Sequence, residues 1–436
     1  MNRYWPGNLK LNPSTFWLTV LPLAVLLLLC SNLPTAQAEM LQLSGKTMGT
    51  TYHISLDVSE PAVRESADET QLSRQIEDRL AEINSRMSTY DPQSELSRFN
   101  LHDGTDWFVV SGETALVVQR AIELHAASDG AFDVTVMPLV NLWGFGPQRT
   151  DSQHPPDEAE IRKAMENVGS QHLSVRMDPP ALKKSKSGLQ VDLSAIAKGY
   201  AVDAISRLLS EQDLRRHMVE IGGEVRVGMR KSDGSLWRIG IEAPQIGNRE
   251  LSEIVELENI ALASSGNYRN FIERDGKRFG HTINPRTGHP AEVDILAASI
   301  LAEDCMTADA VATTCMVLGI ERAKEFTKQQ QCRALLFHED DQHQLTQVSI
   351  EFPLAQTGGQ AAPSKSSFWP LFVAALVVFL GVLVLMSLGV MISGRRIKGS
   401  CGAIASGHSD ITSPCDLCSK PIKDCPEKAA SEKAAP

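Results

Sequence analysis

The sequence predicts a mixed α+β domain over residues 40–352, then one transmembrane helix at 368–392 and a small cysteine-rich tail at 393–436. Three observations lead there. Within 40–352, stretches that alternate apolar and polar residues are interleaved with stretches whose apolar residues recur every three or four positions. Residues 368–392 carry no charge over a length that spans a bilayer. Beyond them, four of the chain's eight cysteines crowd into a polar tail.

In chain order, Arg3 and Lys10 precede an apolar run at 16–29, and Ala36-Gln37-Ala38 supplies a small-x-small cleavage site. Residues 1–38 therefore read as a signal peptide removed after Ala38. Residues 41–58 alternate in strand fashion around a Met48-Gly49 turn. At 71–87, Ile76, Leu80 and Ile83 share one helical face. A turn at 88–92 precedes a short helix at 94–100, and a helix at 113–128 is stopped by Asp129-Gly130. Residues 138–146 pack Trp143 and Phe145 beside two glycines, which suits either a core plug or an aromatic wall for a flat ligand. An exposed loop at 150–156 leads to a short helix at 157–168.

Next comes 191–203, VDLSAIAKGYAVD, which reads as a strand ending abruptly in a helix, with Gly199 at the turn. Small residues there let a ligand approach the backbone, and free amides at a helix start suit a phosphate. A strand pair at 217–228 is pinched by Gly222-Gly223, and 237–243 and 260–268 add strands, the second ending in a polar turn. Residues 281–288 form a turn dense in functional groups, and 306–318 a helix of small residues. Residues 353–367 make a flexible tether.

Charge and chemistry narrow the function. A net charge of −11 argues against nucleic-acid binding and fits an acidic domain holding a divalent cation. Arg395, Arg396 and Lys398 directly after the apolar segment place the tail in the cytoplasm and 40–352 across the membrane from it. Cys305, Cys315 and Cys332 are an odd set that cannot all pair within one chain. Cys401, Cys415, Cys418 and Cys425, two of them in a CDLC motif, suit iron or zinc as thiolates. Asp309 and Thr313, four apart on a helix, put two oxygens on one face, as a hard cation requires. The same pair also fits a helix-start carboxylate and a back-bonded hydroxyl. His281 would serve as general base beside a phosphate, because histidine's reference pKa lies near neutrality.

The motifs MGTTY, SRMSTYD, AFDVTVMPLVNLWGFG, VDLSAIAKGYAVD, EIGGEV, SSGNYRNF, HTINPRTG and MTADAVATT occur in the order seen in the ApbE family of FAD:protein FMN transferases, which 40–350 resembles. The resemblance implies an ApbE-like catalytic domain that splits FAD, moves FMN onto a threonine or serine hydroxyl of a partner protein, and releases AMP. It implies that Asp309, Thr313 and the main-chain carbonyl of Ala195 hold Mg²⁺. It implies that Met48, Tyr90, Ala131, Phe132, Asp133, Asp192, Lys198 and Ile283 line the FAD site, with His281 as base. Family members often carry Gly-Gly where this chain has Ser194-Ala195, which a main-chain ligand tolerates. Some members mainly hydrolyse FAD, so an exported Mg²⁺-dependent FAD pyrophosphatase is a second reading, and a non-catalytic flavin or iron scaffold a third.

From 368 onward the single apolar segment, basic flank, KGSCG and CDLC resemble NqrM, a maturation factor of the Na⁺-translocating NADH:quinone reductase. That implies iron handling in the tail and acceptor subunits in that complex or related electron-transport complexes. The expected location is the bacterial inner membrane, with the catalytic domain periplasmic.

Overall fold

The computed structural model describes residues 39–354, save 149–153, 243, 245–250, 268–270, 341 and 343, and beyond them residues 376 and 379. The expected signal peptide, the tether beyond Leu354 and the tail cysteines lie outside the described residues. Of the segment 368–392 only Leu376 and Phe379 are described, both helical. Among the described residues no helix is long and apolar enough to cross a membrane.

The alternating stretches become an eight-stranded sheet, antiparallel at every pairing. Its spatial order is Met40–Thr47, Thr50–Asp57, His217–Ile221, Glu224–Val227, Ile260–Gly266, Ile295–Ala302, Arg333–Glu339 and Leu345–Ile350. The first hairpin closes through Met48 and Gly49, both at positive φ (49° and 75°), the two-residue turn whose twist matches its strands. Gly222 and Gly223 (φ 65° and 106°) turn the next hairpin at the same end of the sheet, where Gly222 N–H donates to Thr51 O at 3.1 Å.

Helix Glu69–Met87 buries Leu72, Ile76, Leu80, Ile83 and Met87, spaced as one stripe. Each such side chain contributes roughly 1.5–3 kcal/mol on burial. Helices Ala197–Glu211 and Cys305–Leu318 pack on each other and on the sheet, and the Cys305 helix is buried nearly all round, as its small and apolar sequence dictates.

One expected element is absent. Residues 191–193 are not a strand, and Val191, Asp192 and Leu193 are all buried rather than alternating. A side chain stands in for the neighbouring strand: Asn100 donates to Val191 O at 2.8 Å and accepts from Val191 N–H at 2.7 Å. Asp192 N–H donates to Val134 O at 2.7 Å, so the backbone is satisfied without a ladder.

Candidate active site

The helix Ala197–Glu211 begins without a cap of its own. Its Gly199 N–H instead donates to Asp309 Oδ2 at 3.0 Å, from the neighbouring helix. The approach is close because a Cβ on Gly199 would collide with the Cys305 carbonyl. Lys198 lies beside this contact, ion-paired with Glu224 and 3.7 Å from Asp309 Oδ1. Burial alone would lower the Lys198 ammonium, but Asp309 and Glu224 outweigh it and hold the group above its ordinary value. Burial, opposed by Lys198 and reinforced by Asp309, raises the Glu224 carboxyl.

One turn beyond Asp309, Thr313 Oγ1 shares a hydrogen bond with Ser265 Oγ at 3.2 Å. The alternative for this pair falls on its neighbours. Asp304 is the helix-start carboxylate, accepting from Thr307 N–H at 2.7 Å, and Thr314 is the back-bonded hydroxyl, donating to Ala310 O at 2.7 Å.

Facing them is the loop that precedes the Ala197 helix. Asp192 accepts from Ser194 N–H at 2.9 Å, and burial pushes its carboxyl up. Asp133 is committed differently. It accepts from Thr135 N–H and Oγ1 at 2.8 and 2.6 Å, and from Ser170 N–H and Oγ at 3.0 and 2.7 Å. His125 Nδ1 lies 3.2 Å from its other side. With that many donors, Asp133 shapes the 131–136 loop instead of presenting a free carboxylate.

The rim combines distant segments. Tyr90, 64% exposed, donates its hydroxyl to Phe145 O at 3.2 Å, bridging the SRMSTYD and LWGFG motifs. The aromatic stretch divides its labour. Trp143 is a core plug whose Nε1 donates to Gly288 O at 2.8 Å, while Phe145 lines the opening and meets His281 edge-on at 6.4 Å. Arg286 Nε donates to Asp129 O at 3.0 Å and Nη2 to Ser128 O at 2.9 Å, so that with the Trp143 bond to Gly288 the 281–288 turn is pinned from two sides.

These segments enclose a cavity of about 1310 Å³, on the large side for small-molecule sites. Met48, Tyr90, Ala131, Phe132, Asp133 and Asp192 line it. So do Ala195, Lys198, His281, Ile283, Asp309 and Thr313, which brings together every residue of the domain that the family resemblance assigns to the metal or FAD site or to catalysis. Glu224 also lines it but was quoted only within EIGGEV; its signal was an acid directly after a glycine pair. Ser265 was likewise quoted only within SSGNYRNF; its contact with Thr313, 48 residues on, is a pairing that local pattern does not reveal.

Among the described residues, the lining carries five carboxylates (Asp133, Asp192, Glu224, Glu242, Asp309) against one lysine. A phosphate entering such a wall meets net repulsion unless a cation accompanies it. The donors at the Asp309 corner, the Asp309 carboxylate and the Thr313 hydroxyl, are hard oxygens. This donor set fits a divalent oxygen-seeking cation. The described residues hold no group of three or more His, Cys, Asp or Glu side chains clustered as a metal site, so such a cation would depend on hydroxyl, main-chain and substrate oxygens as well.

The ApbE family model matches residues 48–336. An FAD:protein FMN transferase of Vibrio cholerae is 42% identical over 325 residues, covering 74% of this chain and 94% of that protein. Its counterpart in Haemophilus influenzae is 37% identical over 319 residues, covering 72% and 91%. Among solved structures, flavin transferase ApbE from Vibrio cholerae matches at 41% identity with a TM-score of 0.66, covering 72% of this chain and 98% of that one. The apo form of Pseudomonas stutzeri flavinyl transferase ApbE matches at 35% identity with a TM-score of 0.65, covering 72% and 96%. With nearly the full length of these relatives matched, and their family's motifs gathered around one cavity, the chain belongs to the ApbE family.

Proposed function

We propose that the chain transfers FMN from FAD to a threonine or serine hydroxyl of a partner flavoprotein, releasing AMP. The observation that carries this reading is the acidic cavity whose wall joins Asp309, Thr313 and Lys198 to the aromatic rim at Tyr90 and Phe145. Asp309, Thr313 and the carbonyl of Ala195 would hold Mg²⁺, which when bound offsets the charge that grows on the pyrophosphate. Lys198 is kept protonated by two acids and contributes fixed positive charge at the same corner. The acceptor oxygen bonds to the FMN phosphorus while the bridging P–O bond breaks and the electron pair leaves with AMP. His281, held at the rim by the pinned turn, takes the acceptor's proton. Met48, Ala131, Phe132, Asp133, Asp192 and Ile283 would shape the flavin dinucleotide's bed.

The export signal at 1–38 and the apolar 368–392 support a single-pass inner-membrane protein with this domain periplasmic. The NqrM-like tail supports service to the Na⁺-translocating NADH:quinone reductase, with Cys401, Cys415, Cys418 and Cys425 binding iron. Both ends would then act on one client complex.

The test incubates the chain with FAD, Mg²⁺ and an acceptor subunit, and follows covalent flavin on the acceptor and AMP in solution. Asp309→Asn keeps an oxygen for Gly199 N–H but removes the charge, and should slow transfer by about 100-fold or more. Wild-type flavinylation by this variant in metal-buffered solution would sink the assignment. Free FMN without labelled acceptor would instead favour hydrolysis as the activity.

A further inference from the structure

Glu224 opens the strand Glu224–Val227 directly after the Gly222-Gly223 turn and lines the cavity while only 3% exposed. One carboxylate oxygen, Oε1, is committed to Lys198. The other, Oε2, is buried and has no hydrogen-bond partner among the described residues. A buried carboxylate oxygen is costly to leave unpaired, so a native structure that keeps one has a use for it. The Gly222-Gly223 turn runs beside it. A Cβ on Gly222 would sit 3.4 Å from Oε2 but also 2.9 Å from the Thr50 side chain, whereas nothing lies within 4 Å of where a Cβ of Gly223 would be. A ligand can therefore approach the turn on its Gly223 side without displacing a side chain.

We propose that Glu224 is a further substrate-contacting residue of this site, its Oε2 accepting a hydrogen bond from an aliphatic hydroxyl bound in the cavity. The chemistry excludes the other occupants. A phosphate would be repelled by Glu224 and Asp309 together. A flavin ring face would leave the oxygen unpaired, and a second cation would lie against the Lys198 ammonium. A hydroxyl offers one donor and no net charge. FAD carries hydroxyls on both sides of its pyrophosphate, on the ribityl chain and on the ribose, and an acceptor serine or threonine brings another. The proposal rests on the flavin-site reading above.

The experiment measures FAD affinity of the full chain in Mg²⁺ by flavin fluorescence, and KM for the acceptor at saturating FAD, for wild type and Glu224→Gln. In the variant the amide oxygen must stay with Lys198, which leaves an NH₂ facing the hydroxyl, so the hydroxyl has to turn and accept, and a charge-assisted hydrogen bond is replaced by a weaker neutral one. The Kd for FAD should rise about tenfold or more if the hydroxyl belongs to the dinucleotide. A comparable rise in acceptor KM at unchanged FAD Kd puts the hydroxyl on the acceptor, and also supports the proposal. Values of Kd and KM both within twofold of wild type overturn it, as does a lowered melting temperature with unchanged Kd and KM, which marks a purely structural residue. Glu224→Asp, which keeps the charge but falls one methylene short, answers the same question if the glutamine variant does not fold. A wild-type chain that binds no FAD would instead bring down the flavin-site reading itself.

Discussion

Gly199 shows how little freedom the Asp309 corner has. Its missing side chain lets the Ala197 helix touch the backbone of Cys305 and Met306, and its amide reaches Asp309 only because of that contact. Neither obstacle is a flexible side-chain tip, so Gly199→Ala must push two buried helices apart. We expect a loss of about 1–3 kcal/mol in urea unfolding, together with weaker FAD binding. A variant with wild-type stability would show that the helices separate without cost. A second residue-scale test concerns His125 and Asp133. The bond to Asp133 raises His125 above 6.5 against the opposing effects of burial and Arg286. Asp133 is buried, but its bonds to His125, Thr135 and Ser170 hold it below 3.8. The histidine's contribution is therefore fully present below pH 6.5 and fades as pH rises through its folded value. The aspartate's is present above 3.8 and fades as pH falls through its own lowered value. Between those limits the pair is charged on both sides. His125→Asn should cost about 1–2 kcal/mol at pH 5.5 and markedly less at pH 9, read from melts across that range. A deficit that is flat with pH would mean that the ring acts by packing alone.

At the scale of elements, the helix Cys305–Leu318 must be held in register for Asp309 and Thr313 to face the cavity. Asp203, from the Ala197 helix, accepts from the amides of Cys305 and Met306, both at 2.9 Å, and pairs with Arg226 at 2.8 Å. It thereby satisfies donors that the helix start leaves open. Asp203→Asn keeps one acceptor and loses the charge opposite Arg226, so we expect about 1–3 kcal/mol of destabilisation and a measurable loss of FAD affinity. If melting falls but FAD binds as before, the register of the helix does not depend on this clasp. The same helices show what the chain discloses by itself. The i, i+4 spacing of Asp309 and Thr313 was readable because helical geometry is local. Which threonine bonds back to its own helix was not, because Ser265 arrives from a strand 48 residues away. The Met48-Gly49 and Gly222-Gly223 turns were legible from glycine, whereas the order of eight strands depends on pairings between distant segments, which periodicity does not encode. Val191 and Leu193 misled for a related reason. Their alternation resembles a strand, yet the partner was an asparagine side chain, and no pattern along 191–203 could announce Asn100.

At the scale of the whole molecule, the decisive fact is that the fold closes early. Among the described residues, all the sheet strands and cavity-lining residues lie within 39–354 and belong to one compact unit. The Vibrio cholerae transferase structure is 98% covered by only 72% of this chain, so the family's fold does not require residues 356–436. On the function proposed above, the apolar segment and the cysteine tail would add an address and a second activity to this unit. Deleting 356–436 should leave FAD affinity and the melting temperature of the remaining chain unchanged, within a degree or so, because no cavity-lining residue is lost. Location should change completely. The full chain should sediment with membranes, and the shortened chain, its signal peptide removed, should appear free in the periplasmic fraction. Flavinylation in detergent extract should persist, while labelling of a membrane-embedded acceptor in cells should fall, since tethering raises the concentration that the enzyme's site experiences. Lost FAD affinity in the shortened chain would mean that the tail completes the site. Persistent sedimentation would mean that something other than 368–392 holds the protein to the membrane.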